Sequence, residues 1–206
     1  MIIDKKNAVA FLVCNIVLVA IHIFLHVYLS DTVFGIKALR PGTYISFWLI
    51  IAFIEILLRL TISLGIFWIL KVFKEKTWIR VVFSAFFVWQ IGTVLSFGIS
   101  NKTLSGFIAI IYYATIVLLI LLIAAFSSMR ARRIKAYLIW FAMLTLFVVA
   151  LPHLGAQLYD NFGSKWLLIN QRVLARIPTL ATLILFITVY NISRSKFDVN
   201  EVNPAI

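Results

Sequence analysis

The chain has 206 residues, 64% of them hydrophobic and 13% charged, with 19 Lys and Arg against 7 Asp and Glu. A soluble domain is nearer half apolar and a quarter charged, so a single water-facing core of this length cannot hide the excess and the bilayer has to be the solvent for most of it. The net charge of +12 does not point to nucleic acid, because the bases are confined to links and tails, where in a membrane protein they set orientation. The one cysteine, Cys14, excludes an intrachain disulfide.

Six apolar runs follow one another. Lys5 and Lys6 lead into the first, residues 7–30. It is longer than a signal-peptide core and has no A-x-A cleavage pattern, so it reads as a retained helix. Pro41-Gly42 reads as a turn ahead of the longest run, 44–72, which has to tilt or extend into the headgroups. The third run covers 78–99, the fourth 104–127, the fifth 136–158 and the sixth 173–193; the tail 194–206 is expected to stay short, with 198–206 unstructured. Each run exceeds the roughly 20 residues needed to cross about 30 Å of hydrocarbon, and none alternates as the strands of a membrane barrel do. Pro152 falls where it can kink or end the fifth helix. Pro178 falls in the first turns of the sixth, where a missing backbone donor costs least. Gly92 and Ser96, four residues apart, offer the third helix a place for close approach by another.

The bases alternate from link to link. Lys5 and Lys6, then Lys71, Lys74, Lys76 and Arg80, then Arg130, Arg132, Arg133 and Lys135, then Arg194 and Lys196 give twelve on one side. Lys37, Arg40, Lys102, Lys165, Arg172 and Arg176 give six on the other. The richer side faces the cytoplasm. Tyr44, Trp48, Trp78 and Trp166 stand at run ends, the depth amphipathic rings favour. The expected fold is all-α: a single domain over 1–206, a polytopic bundle of six transmembrane helices with both termini cytoplasmic. With no eukaryotic targeting signal, the expected location is a bacterial plasma membrane.

This orientation gathers the polar groups in the outer half of the bilayer. His22 and His26 lie in the outer half of the first helix; Glu55, slightly outside the middle of the second, has Arg59 a turn deeper; Gln90 lies at comparable depth on the third. Tyr112 and Tyr113 sit about two turns down the fourth, and His153 and Gln157 close the fifth. Glu55 and Arg59, at i and i+4 with the acid first, share a helix face in the favourable order for an ion pair. A charge near a helix centre costs about 2.5–3.5 kcal/mol on insertion scales and by default marks a functional site. Its bland counterpart is a self-neutralised pair that fixes packing. His22 and His26, also at i and i+4, have the spacing with which one helix presents two imidazoles to a metal, Glu55 or His153 supplying a third ligand. A haem held through His26 and His153 is a further geometry. The bland reading is a pair of hydrogen-bonded histidines.

The spacing Glu55-x-x-x-Arg59 resembles half of the EExxxR motif of CAAX-type intramembrane proteases. Ile54 stands where the first glutamate belongs and no F-x-x-x-H follows, so the likeness is set aside. Small six-helix substrate-binding subunits of energy-coupling transporters are similar in size and topology alone, which does not establish function. Three expectations follow. The first is a transport or ligand-binding protein, a subunit of a larger membrane complex in one form, with Glu55, Arg59, Gln90 and His153 lining a polar site. The second is an intramembrane enzyme or redox subunit at the outer leaflet, using His22, His26 and His153 for metal, haem or acid–base work. The third is a structural or assembly subunit without a ligand. Membrane lipids and neighbouring membrane subunits are the expected partners.

Overall fold

The computed structural model describes residues 4–32, 41–97, 105–162, 174 and 176–201. They form six helices: α1 (Lys5–Thr32), α2 (Pro41–Val72), α3 (Thr77–Phe97), α4 (Ser105–Ser127), α5 (Arg132–Phe162) and α6 (Ile177–Glu201). No strand occurs among the described residues. Each helix is a long, continuous apolar run of Leu, Ile, Val and Phe, too long for a strand. In lipid the helix is also the form that satisfies every backbone polar group within one segment.

Local chemistry sets the ends. Asp4 caps α1, its carboxylate accepting the Lys6 backbone N–H at 3.0 Å. At the end of α2, Lys74 N–H bonds Lys71 C=O at 3.0 Å and Glu75 N–H bonds Leu70 C=O at 3.1 Å, the two bonds of a Schellman cap. Lys74 occupies its left-handed position with φ 51°, where glycine is usual. Pro178 is the second residue of α6, inside the turn whose N–H groups have no helical acceptor. Pro152 neither ends nor bounds α5, which runs ten residues past it; without water to take the freed carbonyl, resuming the helix is the cheapest outcome.

Several boundaries differ from the sequence reading. α2 starts at Pro41, so Pro41-Gly42 forms its first turn instead of a turn ahead of it, as suits a proline where no N–H is needed. α5 starts at Arg132 and continues through the turn-like Asp160-Asn161-Phe162, and α6 continues through the expected unstructured stretch as far as Glu201. Arg and Lys are good helix formers, so a basic flank extends an apolar helix more readily than it ends one. Lys37, Arg40, Lys102, Lys165, Trp166 and Arg172 lie outside the described residues, as do the side chains of Tyr44, Trp48 and Ser96.

The surface is apolar. Val13, Val88, Ile110, Val117 and Trp140 are all more than half exposed. Four stretches, Lys5–Ile23, Ile110–Ser127, Arg132–Phe162 and Ile177–Arg194, are long and apolar enough to cross a membrane. In the α4 stretch the mean hydropathy is 2.6, yet 22% of its residues are buried, so most of its apolar side chains face outward. Apolar exposure on this scale belongs to a lipid-contacting surface, and the chain is a helical, membrane-associated protein.

The chain divides into two compact units, one of residues 67–181 and the other of residues 2–66 and 182–206. In the first, α3 and α4 pack antiparallel: Phe83 meets Phe126 at 6.3 Å between ring centroids, and Trp89 Nε1 donates to Thr115 Oγ1 at 2.9 Å. α4 and α5, joined by a four-residue link, pack against each other, and Leu119, Leu122, Phe126, Leu138 and Ala142 on them are buried. In the second unit α1 and α6 pair antiparallel. Phe11 meets Phe186 at 5.9 Å, and one turn further along α1 Asn15 meets Thr182, one turn back along α6. Gly65 of α2 closes this contact. A Cβ there would lie 2.7 Å from Phe186 Cζ and 2.8 Å from Phe11 Cδ1, so only a residue without a side chain lets the two rings pack on the backbone.

Candidate functional site

Two polar groups of α1, Asn15 and His22, are turned inward while apolar neighbours face out. Asn15 is 0% exposed and His22 4%, while Val13 and Ile23 beside them are 51% and 60% exposed. Ala8, Asn15, Leu18 and His22 make one buried seam at the heptad spacing of a packed helix face. Asn15 lies ten residues into α1, about 15 Å along it, close to the middle of a bilayer about 30 Å thick.

Several hydroxyls in the other helices are neutralised where they stand. Thr61, Thr115, Thr145 and Thr188 each donate to the carbonyl four residues back, the ordinary way a membrane helix hides an alcohol. Thr182 reaches across to another helix: its Oγ1 donates to Asn15 Oδ1 at 3.3 Å, and both residues are buried. The Asn15 amide Nδ2 has no hydrogen-bond partner among the described residues. A buried amide N–H without an acceptor is costly, and such groups are rare in folded proteins. Chemically the arrangement is an amide donor held in a buried seam, its own side-chain carbonyl engaged by Thr182. Ser63 of α2 is a further buried polar residue of the same unit.

The residues singled out from sequence are distributed as follows. His22 is in the buried seam; the side chains of His26 and Glu55 lie outside the described residues. Arg59 is exposed, on α2. Gln90 is half-buried on α3, where its carbonyl accepts the Thr93 hydroxyl at 2.8 Å. His153 is exposed on α5, its ring packed edge-on against Tyr112 of α4 with centroids 4.5 Å apart. Gln90 and His153 belong to one unit and His22 and Arg59 to the other. Among the described residues no group of three His, Cys, Asp or Glu comes together as a metal site would require.

Two polar devices were missed in the sequence. Asn15 carried a signal: an amide in the middle of an apolar run is expensive to insert and faces protein. Thr182 carried none, because threonine is common on membrane helices. The other device is Glu75, the one acid among the bases of 71–80 and 130–135. It is buried, and its carboxylate accepts the Arg130 N–H at 3.1 Å on each oxygen and the Ala131 N–H at 2.8 Å. Those N–H groups precede α5, and Ala131 has no side chain with which to cap it. Glu75 therefore supplies from another link the acceptor and the negative charge that a helix N-terminus favours.

Comparison with known proteins brings no relative to bear: no protein family, no curated protein and no solved structure matches the chain.

Proposed function

We propose that this is a multi-pass plasma-membrane protein with both termini cytoplasmic and a transport or ligand-binding role for a small polar solute. The orientation is supported by the two-to-one excess of bases on alternate links and by the antiparallel pairing of α1 with α6, which puts the start of the first helix and the end of the last on the same side. The observation that carries the function is the unsatisfied Asn15 amide in the α1 seam. A purely structural amide at that depth gains nothing from an empty donor, whereas a solute bearing a carbonyl, carboxylate or hydroxyl oxygen would fill it. His22 lies on the same buried seam. Glu55 and Arg59 of α2 would set the charge of the approach.

The test is a thermal-shift screen of the purified full chain against amino acids, sugars, nucleosides and monovalent cations, repeated on Asn15→Leu. At least one solute class raises the wild-type melting temperature and leaves that of Asn15→Leu unmoved. A wild-type protein indifferent to the whole panel, or a variant that responds as wild type does, removes the proposal and leaves Asn15 as a packing residue.

A further inference from the structure

A groove of about 920 Å³ runs along α3, walled by Phe67 at the end of α2 and Leu118 of α4. Thr77 and Arg80 line one end, and Val88, Trp89 and Gly92 lie further along it. From Thr77 to Gly92 is fifteen residues of helix, about 22 Å, longer than one leaflet of a bilayer about 30 Å thick. The walls are almost wholly apolar, and charge enters only at the Arg80 end. There Arg80 Nη2 donates to Thr77 Oγ1 at 3.2 Å, and the neighbouring Nε, fully covered, has no acceptor. The guanidinium carries five N–H donors, so the Thr77 bond leaves others for an anion.

We propose that this groove is the seat of an anionic phospholipid, its phosphate at Arg80 and Thr77 and an acyl chain along α3 toward Gly92. Charge complementarity selects the occupant. The polar end lies among Lys71, Lys74, Lys76 and Arg80, and the one acid there, Glu75, has both oxygens engaged by the Arg130 and Ala131 N–H groups. A spanning helix from another protein carries its own Lys and Arg at its cytoplasmic end, and a second copy of this chain would bring the same bases. Either would set like charges against Arg80. A lipid of the cytoplasmic leaflet brings an apolar tail and a negative head, and that leaflet is where anionic lipids concentrate. The assignment of leaflet rests on the orientation proposed above; the site itself does not, nor does it depend on the Asn15 reading.

Trp89 lines the groove and so can report occupancy. The full chain is reconstituted in phosphatidylcholine vesicles containing a minor fraction of phosphatidylglycerol or phosphatidylcholine with dibrominated acyl chains, which quench tryptophan on contact. The chain has six tryptophans, so the Trp89 signal is the difference between wild type and Trp89→Phe. Brominated phosphatidylglycerol quenches Trp89 at a concentration about fivefold below that needed for phosphatidylcholine, the contribution of one base at an anionic surface. Arg80→Gln erases that preference. Gly92→Phe removes quenching by both lipids; a Cβ at Gly92 meets nothing within 4 Å, so the new side chain starts into open space along the groove. Equal quenching by both lipids in wild type, or a preference that survives Arg80→Gln, overturns the proposal. So does Gly92→Phe leaving quenching intact, or converting a dimer to a monomer, which would make the groove an interface between copies. If Arg80→Gln fails to fold, the wild-type headgroup comparison and Gly92→Phe decide.

Discussion

Removing the Glu75 carboxylate should loosen the joint between the α2–α3 and α4–α5 links. In Glu75→Ala two backbone donors, the N–H groups of Arg130 and Ala131, lose their acceptor. A hydrogen bond to a charged group contributes about 1.5–3 kcal/mol net. The Arg130 N–H is shared between two oxygens at 3.1 Å while Ala131 makes a direct bond at 2.8 Å, so the lower end of that range suits the first donor and the middle the second. Bonds sharing one acceptor do not add fully, and about 3 kcal/mol is the expected loss. For a chain of this size that lowers the melting temperature by about 6–12 °C. Glu75→Gln keeps Oε1 for both Ala131 and Arg130 and loses only the Oε2 acceptor and the charge, so it should lose about half as much. Melting of the detergent-solubilised protein, followed by tryptophan fluorescence, reads the global effect. Trypsin reads the local one: Arg130, Arg132 and Arg133 lie in or beside the released link, and if cleavage follows local opening its rate rises about a hundredfold. An alanine variant that melts with wild type and is cut no faster would show that the carboxylate is a passenger at this joint.

Gly65→Ala should lower stability by about 1–3 kcal/mol through overpacking, since its Cβ would lie under 3 Å from both Phe11 and Phe186. Adding Phe11→Leu should restore part of the loss, and a double-mutant cycle in melting temperature with no coupling would refute the contact. Lys74→Gly should raise stability by about 1 kcal/mol by relieving the left-handed backbone at φ 51°, while Lys74→Val should lower it; the reverse ranking in the same assay would count against the cap. In a Cys14→Ala background, a thiol introduced at Lys37 should label in intact cells with a membrane-impermeant maleimide, and one at Lys74 only after permeabilisation. The opposite pattern would reverse the proposed topology, and labelling of both in intact cells would refute it.

The existence of six helices and their approximate spans could be read from apolar runs alone, because a run long enough to cross a bilayer has few other stable forms. Their ends were less legible. α5 and α6 outran the apolar pattern into Asp160-Asn161-Phe162 and on to Glu201, since helix propensity extends beyond the stretch that hydropathy marks. Polar groups were visible along the chain as departures from apolarity, which is how His22, Glu55 and Arg59 stood out. Which face each group occupies could not be read there. The helices carry apolar residues on every side, so their periodicity does not distinguish a lipid-facing surface from a protein-facing one. Only packing put Asn15 and His22 inward while Ile23 faces out, paired Asn15 with Thr182 across 167 residues of sequence, and brought Glu75 to the donors ahead of α5. Sequence fixes the cost of a polar side chain in lipid; the tertiary structure decides which neighbour, if any, meets that cost.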